Sequence, residues 1–125
     1  MKIKECVLIE PFICDVDLPI VDVAKKLRTT TLRHIFVVNK DNEPAGIISV
    51  LDINNRLVAE GRDYSQTLAK DIMSKPVESF NLEEDTSDVG QKMLSKAWAM
   101  SPVVDENNKM VGIVTINQVL KNEPR

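Results

Sequence analysis

The sequence predicts a mixed α/β (α+β) fold made of two β-α-β-β-α repeats packed with pseudo-two-fold symmetry. Three observations lead there. Shifting the chain by 66 residues pairs 3–54 with 69–120 without a gap and gives nine identities, five of them between residues 37 and 47. Apolar residues at helical spacing precede two short β-rich runs in each copy. The length of 125 residues and the 43% apolar content suit one compact unit rather than a disordered or fibrous chain.

The elements follow in the same order in both copies. A short extended piece, 11–14 and then 77–80, leads through an acidic, turn-prone stretch to a helix. The first helix carries Ile20, Val23, Ala24 and Leu27 on one face, and the second carries Val89, Gly90, Met93 and Ala97. Strand pairs are expected at 35–39 with 45–49 and at 103–105 with 110–115, each joined by a polar turn. A second helix closes each copy, from 50 to about 60 and from 116 to about 121. Residues 61–66 read as a short polar connector, so the repeats divide as 1–62 and 63–125. A domain of about 60 residues buries only about 60% of its unfolded surface. Two copies are therefore expected to pack face to face and leave two related clefts, where small ligands tend to sit.

Composition narrows the function classes. Sixteen basic and nineteen acidic side chains give a net charge of −3, with both signs scattered along the chain. No basic stripe suggests nucleic acid. Glu5 and Glu10 interrupt any signal-peptide core, and no apolar run approaches the roughly 18 residues that cross a bilayer, so a cytoplasmic chain without membrane insertion is expected. Cys6 and Cys14 form no C-x-x-C, and His34 is the sole histidine. No metal site, catalytic triad or phosphate loop is expected, and the thiols are expected buried and reduced. An enzyme is not predicted.

The segment Gly46-Ile47-Ile48-Ser49-Val50-Leu51-Asp52 recurs as Gly112-Ile113-Val114-Thr115-Ile116-Asn117-Gln118. Ser-x-x-Asp and Thr-x-x-Gln resemble capping boxes, in which the hydroxyl accepts the N3 amide proton and the N3 side chain reaches back. The same geometry suits a ligand. A helix start attracts anions, the Asp52 carboxylate can accept from a vicinal diol, and Gly46 lets a ligand approach the strand backbone. The two readings are compatible.

These two endings, with Asp71-Ile72-Met73-Ser74-Lys75-Pro76-Val77 and Met100-Ser101-Pro102-Val103-Val104-Asp105, make the chain resemble a tandem pair of cystathionine-β-synthase (CBS) domains, a Bateman module, over about residues 3–121. The resemblance implies a non-catalytic regulatory module binding an adenosine-containing ligand, AMP, ADP, ATP or an S-adenosylmethionine-like compound, with no other cofactor. It implies that Asp52 holds a ribose diol and Ser49 contacts ribose or phosphate. Thr115 keeps the hydroxyl role, while Gln118 replaces the acid and weakens or changes the second site. Phe12 and Ile13, and in the other copy Ser79 with its neighbours, fall on the strand that lies along the base, although strand core explains Phe12 and Ile13 as well.

Arg33 and His34 resemble positions that present basic side chains to phosphate, and Arg can grip phosphate bidentately. Their counterparts are Ala99 and Met100, with Pro102 two residues on. Arg33 and His34 fit either the cleft of Asp52 or that of Gln118. Beside Asp52 they suit a nucleotide phosphate, whereas Asp52 beside Met100 suits a neutral or sulfonium adenosyl compound. A homodimer and a regulated enzyme or transporter are the expected partners. The competing reading is a protein-interaction adaptor whose two motifs are only caps.

Overall fold

A computed structural model describes residues 1–121. By contact the chain forms two units, Phe12–Val77 and Met1–Pro11 with the chain from Glu78 onward. Contacts divide the chain at 11/12 and 77/78.

In the unit Phe12–Val77, β1 (Ile13–Asp15) pairs in parallel with β2 (His34–Val38), which pairs antiparallel with β3 (Pro44–Ser49). Helix α1 (Ile20–Leu27) buries Ile20, Val23 and Leu27 against Ile35, Val37 and Ile48. Ala24, expected on that face, is exposed. Helix α2 (Val50–Ile53) continues as a wider π turn, Asn54–Val58, and so covers most of the predicted second helix. The stretch after it is more ordered than a connector. It makes a 3-10 turn at Tyr64–Gln66 and a one-turn helix α3 (Ala69–Ile72), absent from the sequence reading. The cause is tertiary: the amides of Ile20, Ala69 and Lys70 bond Thr67, Leu18 and Val16 carbonyls, stitching this stretch to the start of α1.

The other unit repeats the plan. β4 (Phe80–Asn81) lies parallel to β5 (Met100–Val104), which is antiparallel to β6 (Met110–Thr115). Strand β5 begins three residues earlier than predicted, with Pro102 inside it. Proline is tolerated because the pairing of β4 with β5 begins at Phe80↔Val103, past Pro102, so β4 makes no call on the missing N–H. Helix α4 (Thr86–Lys96) starts at Asp85, whose carboxylate accepts the Ser87 amide, and buries Val89, Gly90 and Met93. Ala97 leaves the expected stripe: at φ 57° it is the left-handed residue that ends the helix. Helix α5 (Ile116–Lys121) buries Val119 into a core of Ile3, Phe80, Met93, Val103 and Val114, with Trp98 edge-on to Phe80.

Each sheet is closed on its last strand by a segment from outside the β-α-β-β-α run. Ile47 and Ser74 exchange two backbone hydrogen bonds, of 3.0 and 2.8 Å, and Ile9 and Ile113 do the same. The residue before each contact strand position is a glycine. A Cβ at Gly46 would lie 2.7 Å from Met73 Sδ and 2.9 Å from the Ser74 carbonyl oxygen, and one at Gly112 would lie 2.9 Å from Leu8 Cβ. The arm before Pro11 is held further by Lys2 and Lys4, both bonded to Glu83.

Gly46→Ala should destabilise the protein by about 2 kcal/mol in urea unfolding, because a backbone carbonyl cannot swing aside as a side chain can. Hydrogen bonds from Lys2 and then Lys4 hold the Glu83 carboxyl below the usual carboxylate range. A pKa lowered on folding stabilises the docked arm above the ordinary carboxylate value and stops doing so as pH falls through the depressed one. Amide exchange at Ile3 and Lys4 should accelerate on that acid limb, and Glu83→Gln should shrink the step.

Candidate functional site

The repeated motif is built as a strand that hands directly to a helix. Ser49 ends β3 at φ −106° and caps α2, accepting the Asp52 amide on Oγ at 3.0 Å while Asp52 Oδ2 accepts the Ser49 amide at 2.9 Å. Thr115 and Gln118 repeat the pattern at 3.2 Å in both directions. Both capping boxes predicted from sequence are formed.

The β2–β3 register then decides what stands beside the cap. His34 pairs with Ser49, and the Arg33 carbonyl accepts the amide of Val50, the first residue of α2. Arg33 adopts φ 63°, a left-handed conformation uncommon for a residue with a side chain. Together Arg33, His34, Ser49, Val50, Leu51 and Asn54 line a cleft of about 590 Å³. The two basic residues therefore share a cleft with the hydroxyl of their own repeat. His34 Nδ1 lies 3.2 Å from the Leu32 carbonyl, which orients its ring. Val50 and Leu51 are 52% and 65% exposed, giving the cleft an uncovered apolar side.

Asp52 follows on the same helix but is absent from that lining. Its side chain is 20% exposed, with Oδ2 on the Ser49 amide and Oδ1 3.8 Å from Arg56 Nε. The space in front of Gly46, expected to admit a ligand, is filled by Met73 and Ser74 of the chain itself. Phe12 packs on the core with its carbonyl accepting the Phe36 amide, and Ile13 pairs with Phe36 on β1.

In the other unit Met100 pairs with Thr115, as His34 does with Ser49, and Pro102 is buried. The Gln118 amide nitrogen donates to the Val7 carbonyl, so both ends of this side chain are used within the protein. Ser79 lines a separate cavity of about 730 Å³ with Asn81, Glu83, Glu84, Asp105 and Glu106. That cavity is acidic and includes neither Thr115 nor Gln118.

Four participants escaped the sequence reading: Val50, Leu51 and Asn54 in the cleft, and Arg56 behind Asp52. Arg56 had a signal, since i and i+4 side chains meet on a helix. The exposure of Val50 and Leu51 had none, because apolar residues at a helix start read as core. Among the described residues no cluster of three or more His, Cys, Asp or Glu could hold a metal ion, and no helix is long and apolar enough to cross a membrane. Cys14 is buried and Cys6 half-buried. Burial pushes the Cys14 thiol up to about 11, which keeps it protonated and unreactive at neutral pH.

Comparison with known proteins joins this geometry to a family. The CBS domain family pattern matches twice, over residues 3–59 and 69–124. An uncharacterised protein of Methanopyrus kandleri is 34% identical over 104 residues, which is 83% of this chain and 53% of that protein. The chain is similar to the CBS domain pair of protein MJ0100, solved in complex with 5′-methylthioadenosine and S-adenosyl-L-methionine: 25% identity, TM-score 0.78, covering 97% of this chain and 94% of that one. It is also similar to the cytosolic domain of the Mg²⁺ channel MgtE solved in complex with ATP, at 26% identity and TM-score 0.73, covering 89% and 44% of the two chains. The match takes in about half of the Methanopyrus kandleri protein, 53%, and 18% of a magnesium transporter MgtE of Enterococcus faecalis to which the chain is also similar. With two matched repeats, two copies of one strand order and two Gly-apolar-apolar-Ser/Thr-x-x-Asp/Gln endings, the chain belongs to the CBS domain family as a tandem pair.

Proposed function

We propose that this chain is a non-catalytic regulatory module whose first repeat binds an adenosine phosphate and reports its presence to a partner enzyme or transporter. One observation carries the reading: Arg33, His34 and Ser49 converge on a single cleft beside the helix that bears Asp52. A guanidinium, an imidazole and a hydroxyl suit phosphate oxygens. A carboxylate offers about four acceptor sites, so Asp52 has capacity left for a ribose diol beyond the Ser49 amide and Arg56. Related CBS pairs solved with methylthioadenosine and S-adenosylmethionine, and with ATP, support the ligand class. Within that class, two basic side chains favour a phosphate over a sulfonium cation.

The second repeat has Ala99 and Met100 in place of the basic pair, and its Gln118 amide is engaged by Val7. It is read as a weaker site or one for an uncharged adenosyl compound. The exposed Val50, Leu51 and Val58 along α2 and its continuation support a homodimer formed through this helix face. The adaptor reading is favoured by one observation, that both capping boxes are satisfied with no ligand.

Thermal unfolding with AMP, ADP, ATP, S-adenosylmethionine and methylthioadenosine separates the two. The phosphates should stabilise the protein by about 2.7 kcal/mol at a hundredfold excess over Kd. Arg33→Ala should weaken ATP binding by roughly tenfold or more, the loss of a charge-assisted hydrogen bond, and leave methylthioadenosine unaffected. Asp52→Ala should weaken every adenosine compound. No shift with any of them leaves the adaptor. Native mass spectrometry of freshly purified protein reads a copurified nucleotide and the oligomeric state together.

A further inference from the structure

We infer that Arg56 is the positioning residue of this site, fixing the Asp52 carboxylate and coupling it to the backbone segment that closes β3. Residues 66 apart match at the two caps, so Asp52 corresponds to Gln118, and the contacts Ile47–Ser74 and Ile113–Ile9 place Val7 level with Ile72. In the second repeat one side chain does two jobs. Gln118 Oε1 accepts the Thr115 amide, and its Nε2 donates to the Val7 carbonyl on the segment that pairs with β6.

Asp52 can do only the first of these. Its Oδ2 accepts the Ser49 amide, but a carboxylate is an acceptor and has no N–H to give the Ile72 carbonyl. Arg56, one turn along, supplies the missing donor. Its Nη1 donates to the Ile72 and Met73 carbonyls at 3.2 Å each, and its Nε lies 3.8 Å from Asp52 Oδ1. Ile72 and Met73 end α3, where free carbonyls and the negative end of the helix dipole favour a cation. The Asp52–Arg56 pair is therefore the charged equivalent of Gln118.

Two consequences follow. The oxygen held by Arg56 is the one left for a diol, so Arg56 orients the group that would read ribose. A ligand hydroxyl on that oxygen shares it with Arg56, and occupancy is felt at Met73 and Ser74, which lie against Gly46 and Ile47 of β3. Only this ligand step rests on the adenosine reading; the coupling of Arg56 to position 52 does not.

The test begins without ligand. Hydrogen–deuterium exchange is measured over residues 72–75 and 46–48 in wild type, Arg56→Ala, Arg56→Lys, Asp52→Gln and the Asp52→Gln/Arg56→Ala double variant. Arg56→Ala should exchange about fivefold faster there, as expected for losing a hydrogen bond from a charged donor, and Arg56→Lys should recover most of the protection. Asp52→Gln recreates the second repeat's solution, so adding Arg56→Ala to it should change nothing. Unaltered exchange in Arg56→Ala, or an equal effect in both backgrounds, overturns the coupling. The second arm compares AMP with 2′-deoxy-AMP by calorimetry. The preference for the ribose form should shrink several-fold in Arg56→Ala and return in Arg56→Lys, and an unchanged ratio overturns the positioning role. If wild type binds neither nucleotide, the adenosine reading fails while the exchange cycle still decides the coupling.

Discussion

Each three-stranded sheet depends on a backbone segment from outside its own β-α-β-β-α run being laid against its last strand. A strand edge with free N–H and C=O groups is a liability in water and an aggregation hazard between molecules. Ser74 satisfies that edge at Ile47, and Ile9 satisfies it at Ile113. Backbone can come this close only where the neighbouring strand residue lacks a Cβ, which accounts for Gly46 and Gly112 together. The glycines that open the repeated motif therefore serve packing, and the motif's hydroxyl and acid or amide sit three and six residues beyond them, at the strand-to-helix handover.

That handover explains why the structural and ligand-binding readings of the motif share residues. A capping box pins the N3 side chain, so Asp52 and Gln118 are held in one orientation before any ligand arrives. Preorganisation of this kind removes ordering cost from binding. The cap leaves the outer face of Ser49 free for the cleft of Arg33 and His34, because the antiparallel register brings His34 opposite Ser49. The left-handed turn at Arg33 starts β2 at the place where its carbonyl can also take the first amide of α2.

The repeats differ where their chemistry differs. One has Arg33, His34, Asp52 and Arg56, with the Arg56 guanidinium 3.8 Å from the Asp52 carboxylate. The other has Ala99, Met100 and Gln118, an uncharged set in which a single amide completes the cap and anchors the neighbouring segment. Equivalent backbones thus carry electrostatically unlike helix starts.

Much of this protein was legible in its sequence because the signals are local. The α1 stripe of Ile20, Val23 and Leu27, strand β6 and both capping boxes each depend on spacing within a few residues, and the 66-residue shift sets one copy's local pattern beside the other's. Departures occurred where a distant partner overrides local preference: Pro102 lies inside β5 because β4 makes no demand on its nitrogen, and α3 forms because the start of α1 accepts and donates its end bonds. The site divides along the same line. Residue types at Ser49, Asp52, Arg33 and His34 were readable in one dimension, but register alone brought the basic pair beside Ser49, and folding alone filled the space before Gly46 with Met73. Sequence determines which groups are available within a few residues of each other. Only the tertiary structure decides which backbone occupies the space beside them, because that is set by contacts between segments tens of residues apart.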